Sequence, residues 1–403
     1  MAKRVVLAYS GGLDTSVAVR WMIDHLGVEV ICLSADIGQE GTLEGNREKA
    51  LGAGAMAYEE LDLREEFARD FIAPVIKANA LYEGKYPLVS ALSRPLIARH
   101  QVEVARRYGA DAVAHGCTGK GNDQVRFEVS AMALAPDLEL IAPVRNWGFT
   151  REDSLAYAAE HHIPVRATKE KLYSIDDNLW GRAIECGEME DPWARPPEGV
   201  WEMTKPTATE PREVTIGFEA GVPVSVDGAA KPLHELVVHL NHVVGAYGWG
   251  RLDMVENRRV GIKSRETYEA PGGLALLLAH ADLESITVER DLGREKQRLE
   301  SRYAELIYDG LWFSPLRQAL DAFIDESQRH VTGEVRLRLE PNNCHVVGRR
   351  APRSLYDYGL ATYDAADRFR HADSEGFVRL WGLSVQTWAA TQGAQGTPRQ
   401  GGK

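Results

Sequence analysis

Through the first ~165 residues, short apolar runs alternate with segments whose apolar positions recur at helical spacing. "RVVLAYS" is an apolar run that predicts a buried strand. "SVAVRWMIDHLG" has the helical period and stops at Gly27, a residue suited to a left-handed C-cap. "VEVICLSAD" predicts a second strand, "NREKALGAG" a helix and "MAYEELD" a third strand. "RPLIARHQVEVARRYG" predicts a helix with Pro95 near its start and Gly109 at its end, and "ADAVAHG" and "LELIAPV" complete the set. Strands that alternate with helices imply parallel pairing and a sheet covered on both faces.

The pattern changes after about residue 165. "REVTIGFEAGVPVSVDG" alternates like a hairpin around Ala220 and Gly221. Helical stretches follow in "LHELVVHLNHVVGAYG" and "REKQRLESRYAELIYDGLW", then strands in "GEVRLRLEPNNCHVVGRR". The Pro-rich "PWARPPEGVWEMTKPTATEP" predicts an extended surface excursion. "GFVRLWGLSVQTWAATQ" predicts a helix with an apolar stripe, and "GAQGTPRQGGK" a disordered tail. The expected organisation is therefore an α/β parallel-sheet domain over 1–165, an α+β domain over 166–360, a C-terminal helix over 361–390 and a tail over 391–403.

The length of 403 residues suits two or three domains, and 44% apolar with 26% charged residues is ordinary globular composition. A net charge of -12 disfavours a nucleic-acid partner. Cys32, Cys117, Cys186 and Cys344 form no CxxC pair or zinc pattern, which suggests reduced thiols and a cytoplasmic setting. The apolar run near the N-terminus is too short for a signal peptide or membrane anchor.

The candidate chemistry begins at "VLAYSGGLDTS". Gly11 and Gly12 permit close backbone approach, and N–H groups at a helix start favour an anion. Ser10, Thr15 and Ser16 add hydroxyls, so the turn is suited to hold phosphate oxygens. A serine-capped glycine turn with no ligand is the plain alternative. "GCTGKGN" is no Walker loop, because Gly121 follows Lys120. The string fits SGGxD[ST]S, and in that it resembles the PP-loop of ATP pyrophosphatases, which cut ATP between its α and β phosphates.

"AHGCTGKGNDQVRFE" is more specific. With "SADIGQ", "LYEGKYPL", "VENRRVGIKSRETYE" and "PRSLYDYGL" it makes the chain resemble the argininosuccinate synthase family from Val5 to about Leu383. The resemblance implies a Rossmann-like PP-loop domain of the adenine nucleotide alpha hydrolase type, a synthetase domain and a C-terminal oligomerisation helix. It implies a ligase that joins citrulline to aspartate and splits ATP, with Mg2+, to AMP and pyrophosphate in arginine biosynthesis. It also implies a homotetramer, with no nucleic-acid or membrane partner.

Carried over residue by residue, the resemblance gives ATP the positions Ala8, Tyr9, Ser10, Gly11, Gly12, Leu13, Asp14, Thr15, Ser16, Ala35 and Gly116. Ser10, Asp14 and Ser16 are the catalytic candidates among them. Thr118, Asn122 and Asp123 fall on aspartate positions. Tyr86, Asn122, Arg126, Ser174, Glu256 and Tyr268 fall on citrulline positions, and no residue is assigned to a metal. Arg126 suits a bidentate grip on a carboxylate and Glu256 an ammonium. Alone, Arg126 reads more readily as a surface ion pair, and Glu256 reads also as a helix-surface residue, Tyr268 as core and Asp14 as a helix-start carboxylate. Two departures lose a hydroxyl. "VSALSRP" places Ala91, and "NLWGRAIE" places Ala183, where the family carries Ser; Ser90, Ser93 or water are the candidate replacements. Arg182 is a new charge beside the second departure. The rival readings are a tRNA-thiolating PP-loop enzyme and a non-catalytic nucleotide-binding protein.

Overall fold

The computed structural model describes residues 4–39, 41, 43–164 and 173–393. Its contacts divide the chain into two compact units, Met1–Arg353 and Ser354–Lys403. The expected boundary at 165/166 and most of the expected tail lie outside the described residues.

The first sheet is built from β1 (Arg4–Ala8), β2 (Glu29–Asp36) and β3 (Ala57–Asp62), interleaved with α1 (Leu13–Leu26) and α2 (Asn46–Gly52). After a helical run that contains a π-helical turn at Ala68–Ile72 come α3 (Val89–Tyr108), β4 (Ala112–His115), α4 (Asp123–Leu134), β5 (Glu139–Ile141) and α5 (Arg151–Glu160). The five strands are all parallel, in the order β3-β2-β1-β4-β5. Alternate residues of β1 serve opposite faces, as the two-residue strand period requires. Val5 and Leu7 pack with Val17 and Met22 of α1, whereas Val6 packs with Val102 of α3 and Ala131 of α4. Gly27 caps α1 in the left-handed conformation and donates to the Ile23 carbonyl.

The rest of this unit carries two antiparallel sheets. One holds β6 (Ser174–Asn178) and β7 (Gly181–Glu185). The other begins with β8 (Arg212–Glu219), β9 (Val222–Val226) and the short β10 (Ala229–Ala230). Next come α6 (Leu233–Gly245), β11 (Arg251–Asn257), β12 (Lys263–Glu269), α7 (Pro271–Thr287), α8 (Arg290–Tyr308) and α9 (Pro315–Gln328), then β13 (Gly333–Glu340) and β14 (Asn343–Arg350). The strand orders are β10-β9-β8-β13-β14 and β11-β12-β7-β6. The hairpin at Ala220 and Gly221 is present, and both residues have positive φ. Buried side chains of α6, α7, α8 and α9 share one apolar cluster with β8, β13 and the 64–77 helical run.

Two local expectations change. Pro95 is the seventh residue of α3, not an early one. The helix starts where the Ser90 N–H finds the Tyr86 hydroxyl at 2.9 Å and Leu88 takes the left-handed conformation, so tertiary partners override the proline signal. The Pro-rich stretch is only partly a surface excursion. Val200 and Trp201 are buried, and Thr204 is drawn in by Glu269, which accepts from its N–H at 2.9 Å and its hydroxyl at 2.7 Å. A buried carboxylate needs such donors.

In the second unit, α10 (Ala372–Thr391) follows a short helix, Tyr358–Ala361. Phe377, Leu380, Trp381 and Trp388 along α10 are all exposed.

Candidate active site

β1 and β4 lie side by side with Ala8 opposite His115. The helices that follow them leave to opposite faces, α1 to one and α4 to the other. That is the topological switch point, where an open parallel sheet has a crevice beyond its carboxyl ends. A cavity of about 400 Å³ occupies it. Of the residues expected at ATP, Ala8, Tyr9, Ser10, Gly12, Thr15, Ala35 and Gly116 line this cavity. Leu13, Gly11 and Asp14 do not, Asp14 lying on the first turn of α1. Ser16 is turned inward, because its hydroxyl pairs with the Tyr9 hydroxyl at 2.8 Å in the core. The Ala35 carbonyl is already engaged by Gln39 Nε2 at 2.6 Å.

The loop needs its glycine at one position above all. Gly11 has φ +73°, and a Cβ there would sit 1.9 Å from Asn46 Oδ1. The Asn46 amide is buried, with no hydrogen-bond partner on either polar atom among the described residues. Gly116 is close to α1 from the other side, its would-be Cβ 2.7 Å from Thr15 Cγ2.

A second cavity, about 370 Å³, opens beside the first. All eight residues expected at the amino-acid substrates line it: Thr118, Asn122, Asp123, Tyr86, Arg126, Ser174, Glu256 and Tyr268. They come from the β4–α4 loop, α4, β6, β11, β12 and the segment before α3, spread over some 180 positions of the chain. The two cavities share Ser10, Arg94, Gly116, Cys117, Ile175 and Asp176.

The electrostatics of the second cavity are balanced in pairs. Arg94 donates from Nε to Asp123 Oδ2 at 2.9 Å and from Nη2 to Asp176 Oδ2 at 2.6 Å. Arg126 donates from Nη1 to Asp123 Oδ1 at 2.8 Å and from Nε to the Tyr308 carbonyl at 3.1 Å. It lies 5.0 Å over the Tyr308 ring. Burial works against the Asp123 carboxylate, but the two guanidiniums outweigh it and hold its pKa below the usual range. Arg126 is therefore neither a surface residue nor fully satisfied, since its buried Nη2 has no partner among the described residues.

Glu256 is on a buried strand position rather than a helix surface, and it accepts from the hydroxyls of Tyr268 and Tyr308. Burial first, then the charge of Glu266, push its pKa up to about 7, against the pull of those hydroxyls and Arg126. Arg258 bridges Glu185 and Glu266 on the same wall. Ala183 lines the cavity opposite Tyr268 in the β7–β12 ladder, whereas Ala91 is fully buried and outside it. Ser90 lines the cavity; the Ser93 hydroxyl is spent on the Ser90 carbonyl. Arg182 reaches toward Glu269 at 3.4 Å, on the alternate side of the strand from Ala183.

Sequence reasoning did not single out Arg94, Asp176, Glu185, Arg258, Glu266 or Tyr308. Arg94 stands inside "VSALSRP", and Arg258 and Glu266 inside "VENRRVGIKSRETYE", so the stretches were visible while the roles were not. Tyr308 ends a helix with no local signal at all.

Residues 4–164 match the profile described as the arginosuccinate synthase N-terminal HUP domain, and residues 173–388 that of the arginosuccinate synthase C-terminal domain. The chain belongs to the argininosuccinate synthase family. The argininosuccinate synthase of Rubrobacter xylanophilus is 55% identical over 96% of this chain and 95% of its own length. That of Bacillus licheniformis is 52% identical over 97% of each chain, and that of Brevibacillus brevis 51% identical over 96% of this chain and 94% of its own. Among solved structures, the U34-tRNA thiolase NcsA from Methanococcus maripaludis aligns with 42% of this chain and 60% of its own at 14% identity, with a TM-score of only 0.27. A member of this ligase family carries an ATP-binding HUP domain, here the parallel sheet with its cleft. No helix among the described residues is long and apolar enough to cross a membrane.

Proposed function

We propose that the joined cavities carry out the family's reaction, the ATP-dependent condensation of citrulline with aspartate to argininosuccinate with release of AMP and pyrophosphate. The observation that carries this reading is the shared wall. A nucleotide held by Ser10, Gly12 and Thr15 meets the second cavity across Ser10, Arg94 and Gly116, so an oxygen donor there faces the α-phosphate end of the triphosphate.

Citrulline lies with its carboxylate on Arg126, whose unpartnered Nη2 awaits an acceptor, and its ammonium on Glu256. Tyr86 and Tyr268, stacked with ring centres 4.3 Å apart, wall its side chain. Asp123, Asn122 and Thr118 take aspartate, and Ser174 closes the citrulline side. The ureido oxygen attacks the α-phosphorus, and pyrophosphate leaves. The aspartate amine then attacks the ureido carbon, and AMP leaves. Positioning and charge neutralisation do the work, with Arg94 the cation nearest both sites. Ser10 acts from the cleft wall and Asp14 from the first turn of α1; Ser16 acts by holding Tyr9.

Mg2+ enters as part of the nucleotide. Phosphate oxygens and water would hold it, and when bound it would supply charge neutralisation at the phosphates. The exposed apolar stripe of α10 supports a homotetramer clasped by that helix. The setting is cytoplasmic. Against the thiolase reading, burial pushes the thiols of Cys32 and Cys117 well up and that of Cys344 to about 12, and burial with Glu185 and Glu190 raises Cys186, so none of the four is poised as a nucleophile. The test is AMP release. Purified protein with ATP, citrulline and aspartate yields AMP and argininosuccinate in equal amounts. AMP formed without both amino acids, or none at all, overturns the reading.

A further inference from the structure

We propose that His115 is a positioning residue, which ties down the turn forming the wall common to both cavities. The inference rests on the roles given above to Gly116 and Thr118. His115 ends β4 and is 4% exposed. Its Nδ1 accepts the Cys117 N–H at 3.2 Å, two residues on. Its Nε2 lies 3.0 Å from Glu128 Oε1 on α4, an oxygen that also accepts from Arg145 Nη1. The ring is stacked on Phe127, centres 5.7 Å apart.

These partners leave one arrangement of protons. The Cys117 N–H can only donate, so Nδ1 carries no proton. Glu128 Oε1 takes a charge-assisted hydrogen bond from the Arg145 guanidinium at 2.5 Å and so faces His115 as an acceptor, which puts the proton on Nε2. The ring is the neutral Nε2–H tautomer, fixed from both ends. Arg145, Glu128 and His115 thus form a relay from α4 and the segment after β5 to a single backbone N–H. That N–H belongs to the turn Gly116–Cys117–Thr118, whose first residue is pressed on Thr15 of the ATP loop and whose last faces the aspartate cluster. A histidine that merely filled the core would not need an acceptor at Nδ1 in this place. Among the described residues, the side-chain hydrogen bonds of Tyr86, Glu256 and Tyr268 at the citrulline end of the cavity run to Ser90, Tyr308, Glu266 and one another rather than to this relay.

The test has a spectroscopic and a kinetic arm on the full chain. With 15N-labelled histidine, the His115 resonance shows an unprotonated Nδ1 and a protonated Nε2 at neutral pH; a proton on Nδ1 overturns the relay. His115→Leu fills the space without an acceptor, whereas His115→Asn places its Oδ1 where Nδ1 stood. With unfolding midpoints checked for both, His115→Leu raises the KM for ATP and for aspartate about tenfold and that for citrulline less than about twofold, and His115→Asn recovers most of the loss. Unchanged constants in the Leu variant, an equal rise for citrulline, or an Asn variant no better than Leu overturns the proposal. A wild-type protein that makes no AMP from citrulline and aspartate would sink the functional reading instead and leave the tautomer measurement standing.

Discussion

Arg126 and Asp123, one turn apart on α4, are joined at 2.8 Å, while Arg126 Nη2 is buried without a partner among the described residues. One guanidinium thus holds a protein carboxylate that Arg94 also holds and keeps a second buried nitrogen without a partner among the described residues. A charge-assisted pair in such a site is worth about 2–4 kcal/mol. Arg126→Ala therefore weakens citrulline by that amount. Aspartate weakens by less, because Asp123 keeps Arg94, and ATP hardly at all. Steady-state KM values for the three substrates check the order. Equal losses in a folded variant would assign Arg126 to holding α4 on the Tyr308 carbonyl.

The pKa of Glu256, raised from 4.5 to about 7 by burial and by Glu266, gives a signed pH dependence. An ammonium binds the carboxylate, not the acid. The KM for citrulline accordingly rises as pH falls below about 7, by up to about tenfold per unit. Glu256→Gln abolishes that slope and leaves the KM high throughout. For stability the sign is reversed. Between 4.5 and about 7 the folded chain binds the extra proton, so Glu256 costs nothing at lower pH and its full penalty above about 7. Glu256→Gln is then more stable than wild type above pH 7 without ligand, and equal to it near pH 4. A flat citrulline profile in the wild type would show that Glu256 does not meet the ammonium.

The contact between Gly11 and Asn46 predicts a coupled pair. Gly11→Ala meets both the positive φ, a penalty of about 1–2 kcal/mol, and the Asn46 amide at 1.9 Å. It raises the KM for ATP and lowers the unfolding midpoint. Adding Asn46→Ala removes the clash but not the backbone strain, so the double variant recovers part of the loss. Strict additivity in that cycle would place Asn46 away from the loop in solution.

The parallel sheet was readable because its strands are apolar runs bounded by glycine turns, and the loop because its chemistry is local. Seven of the residues expected at ATP line the cleft for that reason. The amino-acid cavity was readable only through long motifs, since no period in the chain brings Tyr86, Ser174 and Glu256 together. What stayed hidden depends on partners far away in sequence. Ser16 turns to Tyr9, Arg94 spans α4 and β6, and Tyr308 reaches Glu256 from the end of α8. Pro95 misled because the Tyr86 hydroxyl, not a local cap, starts α3.

The last prediction concerns where the bond breaks. The cleft wall offers hydroxyls at Ser10 and Thr15, a glycine N–H at Gly12 and no poised thiolate, since burial raises Cys117 far above its ordinary range. His115, the imidazole on that wall, is occupied at both nitrogens. Neither Cys117 nor His115 is placed to carry the adenylyl group, and the Ser10 and Thr15 hydroxyls pair with each other at 3.1 Å, so the attacking atom is assigned to a substrate. Citrulline's ureido oxygen is the one that must become a leaving group, and adenylation lets it depart with AMP. Citrulline labelled with heavy oxygen at the ureido position consequently delivers the label to AMP and none to pyrophosphate. Ser10→Ala and Asp14→Asn slow the transfer while citrulline binding stays nearly intact. Mass spectrometry of the two products reads the outcome. Label in pyrophosphate, or ADP as the nucleotide product, would place the cleavage at another bond and remove the ATP loop from the role given to it.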